Sequence, residues 1–298
     1  MWLFLGIFSA LSLGIYDVCK KLSLQKNAVI PVLFLSIVIS STLLMPFFFL
    51  SKMVPETIQN SIFFVPDISW EAHLLILLKS VIVLSSWLFG YFAMKNLPIT
   101  IASPIKATQP MWIVLGAVLI FGEKLSIFQW IGVLIALVSF WSFSVSGKKE
   151  GISFKSNKYL WFIILATLTG AISGLYDKHL LKQFDHMAVQ VYYTFYQAIM
   201  MAFVTWFLWY PTRKKTTPFQ WRWSIVFISL FLVMADFAYF YALSMPNSLI
   251  SVISTLRRSG VIVPFIFGAI FMHEKNMKQK TLSLLSVIIG TLLLFFES

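Results

Sequence analysis

Apolar residues run along this chain in blocks of about twenty, separated by short polar clusters, and the blocks show neither strand-like alternation nor a consistently polar helix face. A helix rises about 1.5 Å per residue and a bilayer core is roughly 30 Å thick, so each block is long enough for one crossing. Ten windows follow, at about 2–19, 29–50, 72–94, 98–121, 126–145, 159–181, 187–210, 223–244, 247–272 and 282–296. Backbone amides inside lipid find no water, so the windows predict helices and not strands. The first has no basic segment before it and no small-residue cleavage site after it, and it is read as a mature helix.

Composition agrees. Of 298 residues, 59% are hydrophobic and 11% charged, with a mean hydropathy of +0.86. A soluble fold of this size would leave too much apolar surface in water. The expected class is therefore an all-α membrane protein of ten transmembrane helices. A single cysteine, Cys19, excludes an intramolecular disulfide, and the four histidines are scattered. No zinc motif, cofactor motif, intramembrane protease signature or Ser-His arrangement is present, so neither a cofactor nor enzymatic activity is expected, and no feature sets an oligomeric state.

A net charge of +12 would suggest a nucleic-acid partner in a soluble protein, so the placement of the 23 Lys and Arg residues matters more than their sum. Fifteen fall in the odd-numbered connections between windows. The even-numbered ones hold four, Lys52, Lys124, Lys178 and Lys182. Such asymmetry is that of a membrane topology, with basic loops facing anionic lipid, and the expected partner is a bilayer rather than nucleic acid. Taken literally, the bias puts both termini outside the cytoplasm.

The chain also repeats itself. Gly14-Ile15-Tyr16-Asp17 near the end of the first window matches Gly174-Leu175-Tyr176-Asp177 near the end of the sixth. Pro98 and Pro246 open the fourth and ninth, which close on Gly122-Glu123-Lys124 and His273-Glu274-Lys275. Two five-helix halves are expected, 1–145 and 159–298, joined by a Gly, Ser and Lys rich linker at 146–158. An odd number of crossings per half inverts the second relative to the first.

Four cations fall inside windows: Lys79, Lys106, Arg257 and Arg258. Each costs roughly 2.5–3.5 kcal/mol at mid-bilayer on insertion scales unless compensated. Asp236 is read as the only acid at similar depth. Asp17, Asp177, Glu123 and Glu274 lie near window ends, where they would pair with neighbouring lysines or cap helices. The resulting surplus of positive charge points to an anionic small-molecule substrate. Against that stand a purely structural ion pair between Asp236 and one arginine, a proton-coupling role for Asp236, and a Lys79 that snorkels from the end of its helix. Adjacent residues diverge by about 100° around a helix, so the two arginines are not expected to face one cavity equally. Tyr239 and Tyr241 are candidate cavity residues, and Tyr16 and Tyr176 are either gates or interface residues.

Prolines follow these cations. Pro110 cannot donate to the carbonyl of Lys106, and Pro264 leaves that of Gly260 without its helical donor. Lys106 precedes Glu123 by 17 residues, as Arg257 precedes Glu274. Two interrupted helices at equivalent points of the repeat predict a midplane binding site.

With five plus five spans, short loops and the Glu-Lys endings of the fourth and ninth helices, the chain resembles the drug/metabolite transporter superfamily, in particular its EamA-type ten-helix members. Ile105-Lys106-Ala107-Thr108-Gln109-Pro110 also resembles the fourth-helix segment of plastid sugar-phosphate/phosphate translocators, and Arg257-Arg258 falls where those carry a Lys-Arg pair. The resemblance implies a secondary transporter with both termini in the cytoplasm, binding a compact oxyanion through Lys106, Gln109, Arg257 and Arg258. The expectation is alternating-access transport of an anionic or phosphorylated metabolite, possibly by exchange. The alternative is a proton-driven exporter of amino acids, amines or drugs, and an intramembrane enzyme or receptor is the remaining class. Short tails and the lack of a targeting segment make a prokaryotic cytoplasmic membrane the expected location.

Overall fold

The computed structural model describes residues 2–121, 126–128, 130–135, 138–139, 157–245, 250–274 and 276–293. Glu123 and most of the linker lie outside them. The first half contributes α1 (Trp2–Leu24), α2 (Val29–Met53), α3 (Trp70–Asn96), α4 (Ile99–Ala107) and α5 (Gln109–Phe121). Helical residues at 127–128, 130–135 and 138–139 fall within the fifth window. The second half contributes α6 (Lys158–Leu180), α7 (His186–Val204), α8 (Ser224–Ser244), α9 (Ile250–Ser259), α10 (Ile262–Ile270) and α11 (Met277–Leu293).

Helix starts are fixed by side-chain caps where the sequence offers them. Ser69 Oγ accepts from Ala72 N at 3.2 Å, Asn157 Oδ1 from Tyr159 N at 2.9 Å and Asp185 Oδ1 from Met187 N at 2.7 Å. Each satisfies an amide that the first helical turn leaves unpaired. Among the described residues, α1, α2, α3, α6, α8, and α7 extended by a π turn at Thr205–Trp209, are long and apolar enough to cross a membrane alone. The fourth crossing of each half is broken, α4 to α5 and α9 to α10.

Two expectations change here. Lys20 and Lys21, counted as loop residues, belong to α1 and are buried. Helical backbone continues because both ammonium groups find partners: Lys20 donates to Asp17, one turn earlier, and Lys21 donates to Met94 O at 2.9 Å and to Leu97 O, closing the C-terminus of α3. The second concerns the carbonyl of Gly260, which accepts from Val263 N at 3.1 Å and is not left open by Pro264. A turn bonded at i to i+3 absorbs the break.

Odd-numbered connections meet on one face. Asn27 exchanges hydrogen bonds with Gln220, at 2.7 and 2.8 Å, and Arg222 Nη1 donates to Leu22 O at 2.5 Å. Glu274 accepts from Ile99 N at 2.8 Å and Thr100 N at 3.0 Å, so the acid expected to cap a helix caps α4 of the other half. The opposite face joins even-numbered connections, with His186 Nε2 3.1 Å from Ile62 O.

Packing follows a pseudo-twofold. The first helix of each half lies against the third of the other, α1 on α8 and α3 on α6, and α2 lies against α7. Exposed Phe4, Leu78, Phe203 and Trp206 cover the outer surface, as a lipid-facing protein requires. Glycines bring the broken crossings close. A Cβ on Gly260 would lie 2.0 Å from Ala10 O, and one on Gly14 would lie 2.6 Å from Gly260 O, so α1 and the α9–α10 junction meet backbone to backbone. Gly260→Ala is therefore expected to destabilise the protein by at least about 3 kcal/mol, the upper end for overpacked interiors. At Gly90 the added Cβ meets Ala166 at an ordinary 3.7 Å, and Gly90→Ala is expected to leave stability unchanged or raise it by up to about 1 kcal/mol, since Ala is favoured over Gly inside a helix. Thermal melting in detergent checks the pair, and unaltered melting of Gly260→Ala contradicts the contact.

Candidate functional site

Two short helices end in cations. Lys106 occupies the last turn of α4, and Arg257 and Arg258 the last turn of α9. The carbonyl ends of helices favour positive charge, which lowers the cost of these buried groups. All three line one cavity between the halves, together with Lys79 and Trp87 of α3, Gln109 of α5, Asp177 of α6 and Asp236 and Tyr239 of α8. Its volume is about 90 Å³. At roughly 10–15 Å³ per enclosed water, this is space for a compact solute.

Each charge has a defined setting. Arg257 Nη2 donates to Asp236 Oδ1, and its guanidinium carbon sits 4.3 Å over the Tyr239 ring. Asp236 Oδ2 accepts from Tyr193 OH at 2.5 Å. Lys79 donates to Asp177 across the two halves and lies 5.0 and 4.9 Å over the rings of Tyr193 and Phe240. Arg258 Nη2 donates to Gln109 Oε1 at 2.5 Å, and Gln109 Nε2 donates to Gly170 O at 2.8 Å. That strap needs Gly170, because a Cβ there would lie 2.9 Å from Gln109 Oε1. Among the described residues the carboxylate nearest Lys106 Nζ is that of Asp17 at 4.0 Å, which also holds Lys20.

Of the residues singled out from the sequence, Lys79, Lys106, Gln109, Asp236, Tyr239, Arg257 and Arg258 are brought together here. Tyr241 is not: its ring packs on Phe237 at 5.9 Å and His186 at 5.1 Å. Two residues along a helix turn about 200°, so Tyr239 and Tyr241 cannot share a face. Lys79 does not snorkel. It is 1% exposed and ion-paired. Both arginines reach the cavity despite their angular separation, Arg257 toward α8 and Arg258 toward α5. Tyr16 lines the cavity, whereas Tyr176 OH donates to Leu75 O at 3.2 Å.

The main correction concerns the acids. Asp236 is not alone at this depth: Asp177 lines the cavity, and Asp17 lines a side pocket with Lys106 and Arg258. Asp177 pairs with Lys79 and not with the adjacent Lys178, because α3 packs directly on α6. The signal available in the sequence was the repeated Gly-x-Tyr-Asp motif, which marks an equivalent acid in each half. Among the described residues five cations (Lys20, Lys79, Lys106, Arg257, Arg258) thus meet three carboxylates (Asp17, Asp177, Asp236), leaving two positive charges.

A polar cavity at the break of two helices, between inverted halves whose outer faces are apolar, defines a membrane transport protein. The chain belongs to the EamA-like transporter family, whose model matches residues 1–145 and 157–296. It is an integral multi-pass membrane protein, and its partners are a lipid bilayer and a small solute. A crystal structure of another protein is similar to it with TM-score 0.65 and 13% identity, over 98% of this chain and 95% of that one, a likeness in fold alone. No curated protein matches the chain.

Removing one member of a buried ion pair strands the other. Arg257→Gln would leave Asp236 with Tyr193 alone, at an expected cost of about 3–5 kcal/mol. Adding Asp236→Asn is expected to restore most of it, as read by thermal unfolding in detergent. A harmless Arg257→Gln would contradict the pairing.

Proposed function

We propose that the protein exchanges compact anions across the membrane, binding them between Lys106 and Arg258. The observation that carries this reading is that, among the described residues, these two cavity-lining cations, from equivalent crossings of the two halves, have no carboxylate of their own. Arg257 and Lys79 are already neutralised by Asp236 and Asp177 and act as the framework of the site. Gln109 positions Arg258, and Tyr239 supports Arg257.

Two uncompensated charges are suited to a dianion, a phosphate ester or a dicarboxylate. The cavity volume restricts its size. An empty site with this charge is costly to seal from water during reorientation, whereas an occupied one is nearly neutral, and this favours exchange over net uptake. The halves, 1–145 and 159–298, would rock about the cavity.

The competing reading, a proton-driven exporter with Asp236 as the proton carrier, has less support, because Asp236 already accepts from Arg257 and Tyr193. Counterflow into liposomes separates the two. Labelled phosphate, sugar phosphates or dicarboxylates are expected to enter only vesicles preloaded with an anion, and Lys106→Ala or Arg258→Ala to reduce the rate at least about tenfold, the effect of losing one charged hydrogen bond. Uptake of neutral amino acids or amines that ignores both substitutions, and is abolished by Asp236→Asn, would establish the exporter.

A further inference from the structure

The three carboxylates at the cavity are not alike. Asp177 and Asp236 each hold a cation brought by another helix. Asp17 is shared. It accepts from Lys20 on its own helix while lying 4.0 Å from Lys106 on α4, and among the described residues Lys106 has no other carboxylate within that distance. Lys20 has support besides Asp17, since its ammonium lies 4.3 Å over the Tyr16 ring and 5.5 Å from the centroid of Tyr91. The side pocket beside Asp17 has room for about one water, with a volume near 10 Å³, and Lys106, Arg257 and Arg258 line both it and the main cavity. An anion on Lys106 and Arg258 would therefore lie next to Asp17, at a separation where like charges repel far more strongly in a protein interior than in water.

We infer that Asp17 is an internal counter-ion, holding Lys106 in the empty protein and competing with an arriving anion for it. This rests on the reading of the cavity as an anion site. Asp17 then sets affinity: it keeps binding weak enough for release and stops the empty site from retaining any passing anion. It touches the solute only by repulsion and works through Lys106, so it is a positioning residue.

Asp17→Asn alone would also leave Lys20 without its carboxylate, so the decisive variant is Asp17→Asn with Lys20→Gln. The double variant keeps the net charge of the native cluster, and its effect cannot be ascribed to overall charge. Calorimetric titration of the purified protein in nanodiscs with inorganic phosphate and with succinate supplies the readout. The dissociation constant is expected to fall about tenfold or more in Asp17→Asn and in the double variant, and the gain to vanish when Lys106→Gln is added. Unchanged or weaker binding in the double variant, with the native protein binding either probe, overturns the competition and leaves the anion reading intact. Native protein that binds neither probe, and variants that also bind neither, overturn both.

Discussion

A buried charge in a bilayer protein survives only beside a partner, water or a ligand, and the packing of α1, α3, α6 and α8 provides such partners at the centre. Asp17, Lys79, Asp177 and Asp236 stand on these four helices, and each carboxylate meets a cation there or on a broken crossing. The close approach at Gly14 and Gly260 is part of the same arrangement. It brings the α9–α10 junction against α1, and so places Arg258 near the side pocket that Asp17 occupies.

The backbone is nearly twofold, but the charges are not. Lys106 and Arg257 hold equivalent places in the repeat, yet Arg257 has Asp236 and Lys106 has only a share of Asp17. Asp17 and Asp177 are likewise equivalent, yet Asp177 ties the two halves together through Lys79 while Asp17 pairs within its own half. The cavity is lined by residues of both halves. Divergence of the side chains decides which cations are tied to a carboxylate of the framework and which share one.

Much of this was legible in the sequence. Hydropathy marks the six described helices that are long and apolar enough to cross a membrane, and the prolines with equally spaced cations mark the broken crossings, because both signals depend on local chain properties. The partners were less legible. The short distance along the sequence from Asp17 and Asp177 to their span boundaries predicts helix-end positions, but helix packing turns them inward, and a lysine side chain on a neighbouring helix bridges the remaining gap. Lys20 and Lys21 looked like loop residues for the same reason: nothing local announces that Tyr16, Tyr91 and the carbonyls of Met94 and Leu97 will surround them. Tyr241 failed on helix angle alone, which sequence spacing already contained.

The proposed anion exchange depends on two central cations left over for a visiting anion. Selenate is a compact dianion with an anomalous scatterer, and diffraction from crystals grown with it locates the anion without assuming a substrate. A peak between the Lys106 ammonium and the Arg258 guanidinium is the predicted result. An empty cavity at saturating selenate, or a peak confined to the basic surface loops, would contradict it.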